Sequence, residues 1–281
     1  MQLPCIIQTS CMTEDILHHL NLKRSPPTLH YLQELITAYC SNVPWESVSK
    51  IVKKSSCDNT INCLRLENEF WTSAFQYGTG GTCYESNWAF FCLLQHLGFA
   101  GYLTINKVMD KSSVHSAIVI TISDKKYIVD IGYPIYAAIP IIEETVTVSD
   151  TFPIKYRCTP ASSKEYIIEN FPHPKPYLYH LTDIPVNPRD YLEIANKDYG
   201  EGGLFSDRIV IRKVINKVPT RFDSEDAPYN IHTLQNGEKV KTLMKEEDLV
   251  SRLSDHFNLN RNLISQAFKI LSKTAAPQGL S

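Results

Sequence analysis

The sequence predicts an α+β fold, and three changes of pattern along the chain predict it. Apolar residues recur at helical spacing through about the first hundred positions, alternating β-branched segments follow, and the last third mixes strands with two helices. A chain of 281 residues, 43% hydrophobic and 21% charged, can bury a core without disulfide or metal staples. Its formal net charge of -2 argues against a dedicated nucleic-acid binder. The 8 cysteines are scattered and none forms a C-x-x-C pair, so neither a zinc site nor a secreted disulfide framework is expected. The N-terminus lacks a basic segment followed by an apolar run, and no segment has the length of a membrane span. The expectation is a cytoplasmic protein with reduced thiols and no metal.

Each element follows from local signals. Thr28 caps a helix whose apolar positions are Leu29, Leu32, Leu35, Ile36 and Tyr39. A second helix through Leu64, Leu66, Phe70, Trp71, Ala74 and Phe75 stops at Gly78-Thr79-Gly80-Gly81. A third starts just after Cys83, runs through Trp88, Phe90, Phe91, Leu93, Leu94 and Leu97, and ends at Gly98. Residues 101–108 are strand-like, and 115–122 and 127–131 form a hairpin about the turn at 123–126. Antiparallel pairing makes His115, near the start of one strand, a neighbour of Asp130, near the end of the other. Residues 145–170 read as short strands. Pro172, Pro174, Pro176, Pro185 and Pro188 mark an irregular linker or long loop. Residues 208–215 form a strand, 231–244 a hairpin turning at Asn236-Gly237, and 246–257 and 262–272 two closing helices.

The chemistry concentrates at Gly80-Gly81-Thr82-Cys83-Tyr84-Glu85-Ser86-Asn87. Unpaired N–H groups at a helix start favour negative charge and raise the thiolate fraction of a cysteine placed there. The same groups can receive the oxyanion of a tetrahedral intermediate. Taken alone, Cys83 is equally readable as a buried packing cysteine, which is the reading for Cys92. Likewise His115 and Asp130 taken singly read as a structural strand-end histidine and a turn residue. Their convergence points to a nucleophile, a base and an orienting carboxylate.

These residues resemble the arylamine N-acetyltransferase family. Its signature, Arg-Gly-Gly-x-Cys-x-Glu-x-Asn followed by a strand-opening histidine and Val-Asp-x-Gly, is matched at Gly80, Gly81, Cys83, Glu85, Asn87, His115, Val129, Asp130 and Gly132. Val43-Pro44-Trp45-Glu46-Ser47 is similar to the family's Val-Pro-Phe-Glu-Asn. The resemblance implies a helical bundle over 1–98 carrying the nucleophile, a β-barrel over 99–203 carrying His and Asp, and an α/β lid over 204–281. It also implies a catalytic core like that of cysteine proteases and transglutaminases. The implied activity is transfer of an acetyl group from acetyl-CoA, through an acetyl-cysteine, to an aromatic amine or hydrazine. Cys83, His115 and Asp130 would be the triad. Gly81, Thr82, Lys107 and Arg208 are candidates for binding CoA, and Tyr133 and Phe205 for the acceptor. The partners would be small molecules, without nucleic acid or membrane.

The sequence departs from the family pattern in three places. Thr79 stands where the family has arginine, so Glu85 must find another partner or stay solvated. The interval from Cys83 to His115 is shorter than usual, and Tyr133-Pro134 replaces an aromatic-Gly pair. Three other readings stay open: an amide synthase of the same family, a cysteine hydrolase or transglutaminase-like enzyme, and a decayed binding protein.

Overall fold

The computed structural model describes residues 10–109, 111–149, 151, 154–173, 175–235 and 238–275. The chain begins with α1 (Ser10–His19) and α2 (Leu29–Asn42), followed by the two-residue strand β1 (Trp45–Glu46) and α3 (Val48–Ser55). Thr28 caps α2 as its sequence requires, its hydroxyl accepting from the Tyr31 N–H at 3.2 Å. One face of α2 buries Tyr31, Leu32, Leu35, Ile36 and Tyr39. Each such large apolar side chain contributes roughly 1.5–3 kcal/mol on burial. The second expected helix, α4 (Glu67–Tyr77), is shorter than its periodicity suggested. Leu66 is its N-cap, and Leu64 and Leu66 lie outside it. α5 (Cys83–His96) is buried on nearly every side, through Tyr84, Ala89, Phe90, Cys92, Leu93 and Leu94. Cys92, expected as a packed free thiol, is instead disulfide-bonded. Cysteine spacing alone does not specify pairing.

Eight antiparallel strands follow: β2 (Ala100–Val108), β3 (Lys111–Ile122), β4 (Lys125–Val129), β5 (Ile139–Ile141), β6 (Thr147–Val148), β7 (Lys155–Ser162), β8 (Glu165–Phe171) and β9 (Tyr177–Thr182). Their order in the sheet is β5-β4-β3-β2-β9-β8-β7-β6. The Thr147 hydroxyl of β6 donates to the Pro140 carbonyl of β5, so the two edges meet and the sheet nearly closes into a barrel. The proline-marked segment is therefore not simply a loop. β9 lies inside it and joins β2 to β8 through Lys107↔His180 and Ile167↔His180. Pro176 ends just before the first strand residue, where no ladder donor is lost, and Leu178, Tyr179 and Leu181 are buried. At Pro188 the chain enters another element absent from the sequence expectation, α6 (Pro188–Lys197), with proline in its first turn and the Asn187 side chain accepting from Asp190 N–H at 3.0 Å.

The remaining strands are β10 (Val210–Ile215), β11 (Val218–Asp223), β12 (Asn230–Gln235) and β13 (Glu238–Leu243), and α7 (Leu249–Phe257) and α8 (Arg261–Ala275) close the described chain. The expected turn at Asn236-Gly237 lies outside the described residues. This second sheet has the order β1-β10-β11-β12-β13, so the short β1 adds an edge from the N-terminal part of the chain. A second apolar core forms there from Val48 and Ile51 of α3, Ile211, Phe222, Leu253, Phe257 and Ile264. No helix among the described residues is long and apolar enough to cross a membrane.

Candidate active site

Cys83 is the first residue of α5, after an extended Thr82 (φ -81, ψ 179 in magnitude and negative in sign) whose side chain makes no capping bond. The first N–H groups of a helix have no partner within it, so this end is suited to an anion. The preceding turn is held from behind by Glu46. Its carboxylate accepts from Gly80 N–H at 3.1 Å, and its own N–H donates to the Gly81 carbonyl at 3.2 Å. A side chain at Gly80 would meet the Pro44 carbonyl at 1.7 Å, which is why the backbone can come this close only at glycine. The Val43-Ser47 segment thus braces the turn that presents Cys83.

The register places Ile118 opposite Val129, so the chain after β4 carries Asp130 to the face that also bears His115. His115 Nε2 lies 2.7 Å from Asp130 Oδ2, with both side chains buried. The other polar neighbour of the ring is the Cys83 side chain. Burial works to lower the His115 pKa. The Asp130 carboxylate, by charge and hydrogen bond, and Cys83 outweigh it and push the ring up to about 10. Asp130 is fully enclosed, and its second oxygen accepts from Asn87 Nδ2 at 3.1 Å and Tyr133 N–H at 3.0 Å. Asn87 also donates to the Ser116 carbonyl at 2.7 Å. A Cβ on Gly132 would stand 2.4 Å from Asn87 Nδ2 and 2.8 Å from Cys83 Cα. The strand end therefore abuts the helix start, with no room for a side chain between them. Cys83 is buried, with 8% of its surface exposed.

Glu85 has found a partner that the sequence did not suggest. Arg65 Nη2 lies 2.6 Å from Glu85 Oε2, and its backbone N–H reaches Oε1 at 2.9 Å. The same Nη2 donates to the Gly80 carbonyl at 2.8 Å, and the Tyr199 hydroxyl donates to Glu85 Oε1 at 2.5 Å. Burial lowers the Arg65 pKa, but the Glu85 carboxylate more than compensates and the guanidinium is held above its ordinary range. Arg65 thus supplies, from the loop before α4, the cation missing at Thr79. Thr79 itself is buried and its hydroxyl has no partner. Arg65 carried one sequence signal, a lone charge between apolar Leu64 and Leu66, which is not specific enough to identify it.

The other expected site residues are dispersed. Tyr133 reaches the cluster, its ring edge-on to His115 at 5.6 Å, and it lines a cavity of about 710 Å³ with Tyr177 and Arg212. Phe205 stands behind the turn, with its ring 4.8 Å from Trp45, which bridges to Gly81. Phe205 and Arg208 line a second cavity of about 730 Å³, where Arg208 lies over Phe205 at 5.4 Å and pairs with Glu225. Gly81 and Thr82 are buried at the start of α5. Lys107 lies on the barrel, its ammonium 3.3 Å from Glu165, and lines neither of these cavities. Among the described residues, no group of three or more His, Cys, Asp or Glu is placed to hold a metal.

The family model described as N-acetyltransferase matches residues 28–264. No curated protein matches the chain. Among solved structures, arylamine N-acetyltransferase from Mycobacterium marinum superposes with a TM-score of 0.77 at 18% identity, over 92% of this chain and 99% of that one. The same enzyme in complex with CoA gives 0.76 at 18% identity, over 93% and 97%. A Bacillus cereus arylamine N-acetyltransferase, whose own catalytic triad is Cys-His-Glu, gives 0.73 at 18% identity, over 90% and 100%.

Proposed function

Because the chain belongs to the arylamine N-acetyltransferase family, we propose that it transfers an acetyl group from acetyl-CoA to the nitrogen of an aromatic amine or hydrazine through an acetyl-Cys83 intermediate. The single observation that carries this reading is the His115–Asp130 pair at 2.7 Å, buried against the first residue of α5.

In this reading the resting state is a Cys83 thiolate beside a His115 imidazolium, with Asp130 fixing the ring and stabilising its charge. The raised His115 pKa, about 10, favours the protonated ring at neutral pH. The thiolate adds to the thioester carbonyl, and the oxyanion is received by N–H groups at the start of α5. The C–S bond to CoA then breaks, and the departing sulfur takes the His115 proton. The amine, unprotonated because an aromatic nitrogen is a weak base, attacks acetyl-Cys83. His115 accepts the amine proton as the Cys83 thiolate leaves, restoring the pair.

Gly81 and Thr82 are the proposed contacts of the thioester end of the donor. Arg208 is the proposed phosphate contact, and Tyr133 is the proposed aromatic contact of the acceptor; Phe205, which lines the other cavity with Arg208, is less suited to share it. Lys107 is less suited to bind the donor, since it lies on the barrel and lines neither cavity.

The test is intact mass after incubation with acetyl-CoA alone. An adduct of one acetyl group that disappears in Cys83→Ser supports the proposal. Absence of both adduct and CoA release defeats it. Replacing His115 by alanine should abolish adduct formation.

A further inference from the structure

The connector between α3 and α4 brings two thiols together. Cys57 follows the end of α3, and Cys63 stands two positions before Arg65. Between them the chain makes one 3-10 turn, Thr60–Asn62, opened by the Asn59 side chain, which accepts from Asn62 N–H at 3.3 Å. The turn folds the segment back on itself. Cys57 Sγ lies 3.3 Å from the Asn62 carbonyl oxygen and Cys63 Sγ 3.3 Å from the Asn59 carbonyl oxygen, so each thiol donates to the other's end of the turn. The Cys63 thiol is also within hydrogen-bonding reach of the Cys57 side chain. Both cysteines are free, Cys57 half-buried and Cys63 buried. Among the described residues, no further His, Cys, Asp or Glu joins them to complete a metal site.

Burial, and after it the hydrogen bond with Cys57, pushes the Cys63 thiol up to about 12, against the charges of Lys53 and Lys54 nearby. Cys57 is therefore the sulfur that meets an oxidant first, and Cys63 waits beside it as the resolving thiol.

We propose that Cys57 and Cys63 are a redox modification site, which a peroxide converts into a disulfide that staples the connector carrying Arg65. The Cys57 thiolate attacks one oxygen of hydrogen peroxide, becomes a sulfenic acid and releases hydroxide, which takes up the proton Cys57 had lost. The Cys63 sulfur then attacks the Cys57 sulfur, forms the S–S bond and expels the oxygen as water with its own proton. Two thiols and one peroxide give one disulfide and two waters, the sulfurs losing the two electrons that the peroxide gains. The Asn59 and Asn62 carbonyls released by the thiols belong to exposed residues and turn to water. Arg65 follows directly, its N–H bonded to Glu85 Oε1 at 2.9 Å and its Nη2 to the Gly80 carbonyl at 2.8 Å. The staple thus fixes the segment whose cation holds the turn before Cys83, and it restricts the unfolded chain.

Trypsin cuts after Lys54 and Arg65, which leaves both cysteines in one peptide, residues 55–65. The full chain is treated with hydrogen peroxide, unfolded in iodoacetamide, digested without reductant and weighed by mass spectrometry. Untreated protein should give this peptide with two alkyl groups. Treated protein should give it with none, lighter than the free dithiol by two hydrogens, and dithiothreitol should restore the first form. The oxidised wild type should also melt about 4 °C above the reduced protein. Cys57→Ser and Cys63→Ser, treated alike, should show no such rise; they cancel any contribution from oxidation elsewhere or from reduction at Cys92. A peptide that keeps both alkyl groups while Cys83 is oxidised overturns the proposal. So does Cys57 recovered as a sulfinic acid or joined to another cysteine. A linked peptide with no rise in Tm overturns the staple. None of these readouts requires acetyl transfer, so they stand or fall separately from the activity proposed above.

Discussion

Replacing Arg65 by methionine removes a guanidinium that is 3% exposed from a carboxylate that is fully buried. Glu85 keeps only the backbone N–H of residue 65 and the Tyr199 hydroxyl, and the Gly80 carbonyl loses its donor. Breaking a buried ion pair from one side costs about 3–5 kcal/mol, because the remaining charge stays dry and uncompensated. For a chain of this size that corresponds to a fall in Tm of about 6–20 °C. The measurement is reversible urea unfolding at neutral pH, with scanning calorimetry as a second readout. The double variant Arg65→Met with Glu85→Gln should recover part of the loss, since a neutral amide tolerates the site better than an orphaned carboxylate. A single variant within about 1 kcal/mol of the wild type would refute the reasoning, because losses that small are typical of exposed pairs.

Three further outcomes are expected. Gly132→Ala forces a Cβ to within 2.8 Å of Cys83 Cα; it should cost about 1–3 kcal/mol in urea unfolding and lower kcat/KM about a hundred-fold, through a displaced helix start. The His115 pKa is raised in the folded protein from 6.5 to about 10, so its contribution to stability is fully present below pH 6.5 and is lost as pH rises through about 10. Asp130→Asn should flatten that decline, seen as the difference between the unfolding free energies of the two proteins across pH 6.5 to 10. Iodoacetamide followed by peptide mapping should label Cys83 before Cys40 and Cys158, because burial pushes the Cys40 thiol up and holds Cys158 at about 12.

The part of the site legible in the sequence is the part built from local signals. Two glycines before a helix-starting cysteine, and a hairpin whose ends carry histidine and aspartate, each follow from short-range backbone preference and antiparallel register. The helix at Thr28 and the break at Gly78 were legible for the same reason. The proline-marked segment misled because proline is read as interrupting a strand, whereas Pro176 stands just before one. The strand β1 was invisible because two residues have no period, and it exists through pairing with distant segments, Val210–Ile215 and Gly81. Arg65 was missed because nothing local links it to a carboxylate twenty positions away.

By itself, then, the chain's order of residues determined which groups are available for chemistry and what local backbone carries them, since turn, cap and strand preferences act over a few residues. Only the tertiary structure decided which distant groups meet. It put Arg65 against Glu85, Glu46 behind Gly80, and Arg212 beside Tyr133. Those outcomes depend on how separate elements pack and which charges packing removes from water, and no short stretch of sequence encodes either.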